Sequence, residues 1–311
     1  MDQVVTVFGG GGFLGRYVAQ EVLKAGARLR VAERDPRDAW FVKPLGGLGQ
    51  TQFIAADVTK PESVAKAVAG ATSVINLVGI LAGDFDKVHI EGAKNVAEAA
   101  RTAGAAALVQ ISAIGADPLA ESAYGRSKGL GEQAVQGAFP GATVIRPSIV
   151  FGPEDNFVNR FAGLISKLPV APIIRPTVRF QPVWVGDLAQ AIALAALDPK
   201  AHAGKTYELG GPEPISMAAL NAWIAQAIGA TPRFLSVPDP VARAMARFGG
   251  RLPGAPMTWD QWLMLQNDNV VAPGAAGFDA FGIAPRPLEA MAPAWLVRFR
   301  REGRFSLTTA A

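Results

Sequence analysis

Along the first half of this chain, short apolar runs alternate with longer stretches in which apolar side chains return every three or four positions. The runs Val4–Phe8, Leu29–Ala32, Gln52–Ala55, Ser73–Val78, Ala107–Ile111 and Thr143–Arg146 read as strands. The stretches 13–25, 61–68, 88–103 and 123–136 read as helices between them. Strands separated by helices cannot pair as hairpins. The pattern therefore predicts an α/β fold, a doubly wound parallel sheet with helices on both faces. After Phe151 the rhythm loosens and proline and tryptophan become frequent, with a proline-rich stretch from Ala171 to Pro182. Val183–Leu197 and Thr206–Leu209 read as segments returning to the sheet. The expected organisation is a sheet domain over residues 1–150, completed by returning segments at about 178–212. A smaller, mostly helical C-terminal lobe takes 151–177 and 213–311.

The chemistry begins where the first strand meets the first helix. Gly9, Gly12 and Gly15 form a G-x-x-G-x-x-G turn there. Gly9 allows the tight turn, Gly12 lets the backbone approach a pyrophosphate, and Gly15 lets the helix pack closely on the sheet. The helix opens on Phe13 and Leu14, whose N–H groups belong to a positive helix end that suits phosphate. Placed between a strand and a helix, the turn predicts a Rossmann dinucleotide site. The second strand ends in Glu33 and Arg34. An acid at that point accepts hydrogen bonds from the ribose hydroxyls of NAD, whereas an arginine pairs with the 2′-phosphate of NADP. Both residues are present, and the reading favours NADP(H) over NAD(H).

Tyr124 and Lys128 stand one turn apart on the helix over 123–136. A free phenol has a pKa of about 10 and is a poor base at neutral pH, and a nearby ammonium is expected to lower it. The same lysine can hold a nicotinamide ribose.

These features, with His89–Val96, Arg146–Gly152, Gln181–Asp187 and Tyr207–Pro212, resemble the extended and atypical short-chain dehydrogenase/reductases. Within them the resemblance is to the branch related to the NADPH-binding accessory subunit of respiratory complex I, the NADH:ubiquinone oxidoreductase. It is good over about residues 3–235 and weak beyond. It implies that Asp57 hydrogen-bonds the adenine amine beside Val58, and that Leu77, Val78 and Gly79 line the ribose side. It also brings Pro147, Ser148 and Ile149 to the cofactor and makes Tyr124, Lys128 and a hydroxyl residue the catalytic set. The hydroxyl position falls on Ala113 in one register and on Ser112 in a register slipped by one. If it is Ala113, the donor that polarises a substrate carbonyl is missing, a loss of about 2.7–4 kcal/mol in transition-state stabilisation.

Composition narrows the remaining choices. The chain has no cysteine, which excludes disulfides, Cys-ligated metals and thiol catalysis, and its two histidines exclude a multi-His metal site. The net charge of +4 comes without a Lys/Arg tract, so no nucleic-acid partner is expected. A strand starting at Val4 leaves no room for a signal peptide, so the expected location is cytoplasmic, with peripheral contact on the inner face of the cytoplasmic membrane. All nine basic residues after Lys205 are arginines. Val241, Met245 and Phe248 share a helical face beside Arg243, Arg247 and Arg251, followed by Trp259, Trp262 and Trp295. This mixture suits a membrane surface or an anionic partner surface such as complex I subunits, but the preferred reading is a lobe core with snorkelling arginines. Three functions follow: a complex I-associated cofactor binder with little turnover, a free-standing NADP(H)-dependent reductase or epimerase on a small-molecule substrate using Tyr124 and Lys128, and a redox-ratio sensor that binds a partner.

Overall fold

The computed structural model describes residues 3–250, 257–301 and 303. The chain divides into two compact units. The first comprises Met1–Pro147, Val185–Leu209 and Ala272–Ala284, and the second Ser148–Trp184, Gly210–Val271 and Pro285–Ala311.

The first unit is built on β1 (Val4–Phe8), β2 (Arg28–Glu33), β3 (Thr51–Ala55), β4 (Ser73–Asn76), β5 (Ala107–Ile111) and β6 (Thr143–Pro147). With the strand Thr206–Leu209 they form a seven-stranded, wholly parallel sheet. From one edge the order is Thr206–Leu209, β6, β5, β4, β1, β2, β3. The direction of winding reverses between β1 and β4, and open α/β sheets bind ligands at such a point. Residues alternate between the two faces of each strand. Phe8, Val74 and Leu108 point into one apolar layer with Val64 and Ala67 of α2 (Pro61–Val68), Val96 and Ala100 of α3 (Ala93–Thr102), and Val135 of α4 (Ala123–Ala138). On the other face α1 (Phe13–Lys24) packs beside the helix Val185–Leu197. The fold is thus the doubly wound parallel sheet expected from the pattern. Val183–Leu197, expected to return to the sheet, does so mainly as a helix against β4 and β5.

Two local departures matter. The stretch Pro36–Leu45 after β2 forms a 3-10 segment capped by Asp35, whose carboxylate accepts the Arg37 N–H and pairs with its guanidinium. Ahead of α3, Asp86–Gly92 is π-helical, and such segments recur where a helix must reposition one side chain.

Among the described residues, the second unit carries three two-stranded sheets and several short helices. Phe180, Ile173, Val178 and Met217 form one apolar cluster in it. Phe151, Trp184 and Trp295 stack in another group. Arg243 and Arg247 lie over the rings of Trp262 and Trp259, while Val241, Met245 and Phe248 are exposed. Arg251 and Arg304 lie outside the described residues. None of the described helices is long and apolar enough to cross a membrane.

One buried charge network ties α4 to the sheet. Arg146 makes a forked pair with Glu132 at 2.9 and 2.6 Å and reaches Glu208 at 3.4 Å. Glu208 in turn accepts the Ala272 N–H. Removing Glu132 takes two short charged hydrogen bonds from the partly buried Arg146 and leaves it only the longer Glu208 contact, so Glu132→Ala should cost roughly 2 kcal/mol of stability. Urea unfolding would read this as a lower midpoint at unchanged slope.

Candidate functional site

The predicted site residues of the first unit gather at the C-terminal ends of β1 to β6. At the first of these ends Gly9 takes a left-handed φ of 80°. A Cβ on Gly15 would lie 2.2 Å from Gly9 O, so only glycine lets α1 start this close to β1. Gly12 occupies the N-cap of α1 without any side-chain cap, leaving the helix end for a ligand. Phe13 and Leu14, the first two helical residues, are half-buried, and Phe13 packs edge-on against Tyr17.

Glu33 is turned into this loop. Its Oε1 accepts the Gly11 N–H at 2.6 Å. Burial raises the pKa of its carboxyl, and the Gly11 bond offsets part of the rise. Arg34 is exposed, and its charge acts on both Glu33 and Asp57. Asp57 accepts the Thr59 N–H and hydroxyl at 2.9 and 2.8 Å. Burial pulls its pKa upward, but the Thr59 hydrogen bonds and the charges of Lys60 and Arg34 leave it below the ordinary value. Val58 is buried, and its carbonyl accepts the Asn95 amide.

The strand expected to reach Val78 ends at Asn76. The Asn76 side chain donates to Gln110 Oε1 and accepts the Val78 N–H, which turns the chain out of the sheet. Leu77 and Val78 then border the glycine turn, with the nearest atoms 3.4 Å from where a Gly9 Cβ would stand. Gly79 follows, and a Cβ there would lie 3.2 Å from Lys128 Nζ.

Tyr124 and Lys128 occupy the first turns of α4, which Ser122 caps by accepting the Gly125 N–H. Lys128 Nζ is buried, donates to Ile111 O at 3.2 Å, and lies 5.8 Å from the centre of the Tyr124 ring. Burial pushes the Tyr124 phenol up to about 12, so the expected lowering by the neighbouring ammonium is not realised. Low polarity penalises the phenolate more than the ammonium at this separation helps it. Burial also pushes Lys128 down to about 8, partly offset by Glu132 one turn on. Ser112 is buried just beyond β5 and its hydroxyl has no hydrogen-bond partner, while Ala113 is half-exposed.

Pro147 ends β6 in the first unit, whereas Ser148 and Ile149 open the second. There Ser148 Oγ lies 2.7 Å from Asn269 Oδ1 and accepts the Gln181 N–H, and Ile149 packs against an apolar cluster. The Ser148 hydroxyl is thus engaged inside its own unit. Sequence reasoning gave no role to His89, Ser127 or Glu132. His89 lay within a quoted motif and is one of two histidines, which was the available signal.

A glycine cradle with no room for a Cβ, an uncapped helix end, a buried amine and an orphaned hydroxyl fit a dinucleotide. The family description "NAD dependent epimerase/dehydratase family" matches residues 5–210. The chain belongs to that family. Among curated relatives, the Arabidopsis thaliana mitochondrial NADH dehydrogenase [ubiquinone] 1 alpha subcomplex subunit 9 is 33% identical, over 96% of this chain and 79% of its own. The ceramide reductase of Caulobacter vibrioides is 29% identical over 76% and 74%. Among solved structures, the Citrobacter sp. triphenylmethane reductase complexed with NADP(H) superposes with a TM-score of 0.77 at 18% identity, covering 94% of this chain and 99% of that one. The family binds NAD(P), and the solved neighbour shares the Rossmann fold.

The depressed Lys128 pKa makes a linkage prediction. Between about pH 8 and 10 the unfolded chain holds a proton that the folded chain lacks, so stability should rise with pH there. The expected gain is roughly 2 kcal/mol across that window. Urea titrations at pH 7.5 and 9.5 would measure it, and Lys128→Met should flatten the profile.

Proposed function

We propose that this protein binds NADP(H) in the first unit and serves as an accessory component of an NADH:ubiquinone oxidoreductase, holding its cofactor with little turnover. The observation that carries the reading is the pairing of a complete phosphate cradle with a phenol held at about 12. Such a phenol stays protonated at neutral pH and so offers no base for an oxidation. Identity of about one third to complex I subunits over nearly the whole chain supports the partnership.

In this reading the start of α1 receives the pyrophosphate, Asp57 the adenine, and Lys128 and Tyr124 the nicotinamide ribose. Bound NADPH would supply a hydride-bearing nicotinamide. Preference for NADP(H) follows from the side chains at the end of β2. Glu33 is engaged by the Gly11 N–H, which competes with its use on a ribose diol, while exposed Arg34 is free to reach a 2′-phosphate. NADPH should therefore bind more tightly than NADH. Arg34→Ala should weaken NADPH by about tenfold and leave NADH unchanged. Calorimetric titration of both dinucleotides measures this, and an equal loss for the two would remove the argument.

Docking is assigned to the second unit, with the protein peripheral on the inner face of the cytoplasmic membrane. That unit has thirteen Arg and Lys against eight Asp and Glu, a net charge of +5 where the whole chain carries +4. Its exposed Val241, Met245 and Phe248 stand on the helical stretch that carries Arg243 and Arg247. Affinity purification of the tagged chain from gently solubilised host membranes should recover complex I subunits in near-equal amounts. The Arg243→Glu/Arg247→Glu variant should recover few. Recovery of the chain alone would shift the reading to a free enzyme.

That second reading, an NADP(H)-dependent reductase, is favoured by the unpartnered Ser112 hydroxyl and by the relative named ceramide reductase. Under it, Tyr124→Phe should abolish substrate-dependent NADPH oxidation with little change in NADPH affinity.

A further inference from the structure

His89 sits where three parts of the first unit meet. Its π-helical segment is pressed onto α4, since a Cβ on Gly131 would stand 2.2 Å from His89 O. The imidazole stacks on Phe85 with centroids 5.4 Å apart and meets the Tyr124 ring edge-on at 5.6 Å. Both ring nitrogens are in hydrogen bonds. Nε2 lies 3.0 Å from the Ile80 backbone nitrogen, which can only donate, so Nε2 accepts. Nδ1 lies 2.9 Å from Ser127 Oγ, and that hydroxyl gives its proton to Tyr124 O at 2.9 Å. With the hydroxyl proton committed, Nδ1 must carry the ring proton and donate. The bonds alone therefore fix one tautomer and exclude the imidazolium, which would present two N–H groups and lose the Ile80 bond.

We propose that His89 is a positioning residue: a neutral, Nδ1-protonated imidazole that clamps the backbone after β4 to the helix carrying Tyr124 and Lys128. The clamp fixes the gap between Gly79 and Lys128 Nζ. A Cβ at Gly79 would find Lys128 Nζ at 3.2 Å and His89 Nε2 at 3.8 Å. Where a dinucleotide occupies this site, as proposed above, the clamp sets how closely its ribose meets the lysine. The arrangement resists acid for a physical reason. Burial first, and the Lys128 charge second, push His89 down to about 3. The other ionisable groups nearby are Tyr124 and Lys128 on α4, with Asp86, Lys87 and Glu91 on its own segment.

Long-range proton–nitrogen NMR of the full-length apo protein tests the clamp directly. The chain has two histidines, and the His89 signals are those that vanish in His89→Gln. The expected result is the Nδ1–H tautomer, unchanged between pH 8 and 5. An Nε2–H tautomer, or a titration near the ordinary histidine value, overturns the proposal. The second arm is NADPH affinity. His89→Phe keeps the ring stacking and removes both hydrogen bonds, and should weaken binding by about tenfold. Should that variant fail to fold, Ser127→Ala removes the Nδ1 bond together with the Ser127–Tyr124 O bond, keeps the Ile80 bond, and should weaken NADPH binding by roughly three- to tenfold. In that variant Nδ1 loses its acceptor, so the His89 signals must change as well. Wild-type affinity in a folded variant of either kind also overturns the proposal. If the unmodified protein binds no NADPH, the cofactor reading fails while the tautomer measurement still decides the clamp.

Discussion

The approach of α1 to the end of β1 is the constraint around which the first unit is arranged. Gly15 faces Gly9 O and Gly10 Cα at distances that no Cβ tolerates, and Gly10 itself is pressed against Val31. Because the helix starts so close to the strand, its first peptide N–H groups stand at the end of β1, beside the point where the winding order of the sheet reverses. That placement converts an ordinary helix end, with its unsatisfied donors and partial positive charge, into an anion site. Gly9 itself is set by its left-handed φ of 80°, with Leu77 and Val78 bordering the turn at ordinary contact distance.

The other half of the site depends on how α4 is held. Its Lys128 is buried and spends a hydrogen bond on Ile111 O, and Glu132 one turn later is locked to Arg146 and, through it, to Glu208. On the opposite side, His89 and Ser127 join the helix to the backbone after β4. The helix is thus fixed from the sheet side by charge and from the loop side by neutral hydrogen bonds. The same burial that fixes these groups shifts their chemistry, lifting Tyr124 and lowering Lys128. A tyrosine and a lysine one turn apart therefore do not make an activated phenolate unless their separation and local polarity permit it.

The family gives context without specifying the reaction. Relatives at similar identity carry names as different as a complex I subunit and a ceramide reductase. One scaffold accommodates both, since activity resides in side chains that the fold does not dictate.

The sequence by itself determined the parallel α/β sheet, the glycine turn and the Tyr124–Lys128 pair. Strand and helix periodicity, and glycines required by backbone approach, are local signals that survive without knowledge of neighbours. Boundaries slipped where a side chain overruled propensity, as when Asn76 capped β4 early. The 3-10 stretch after β2 carried no periodic signature, and the periodicity that marked 88–103 as one helix did not show that its start is π-helical. What only the tertiary structure decided was electrostatic and long-range. Glu33 turned into the loop for Gly11, Ser148 was consumed within the second unit, burial reversed the expected shift of Tyr124, and His89 became a clamp. Each of these depends on a partner distant in sequence or on the loss of water around a charged form, and neither quantity is written in local residue order.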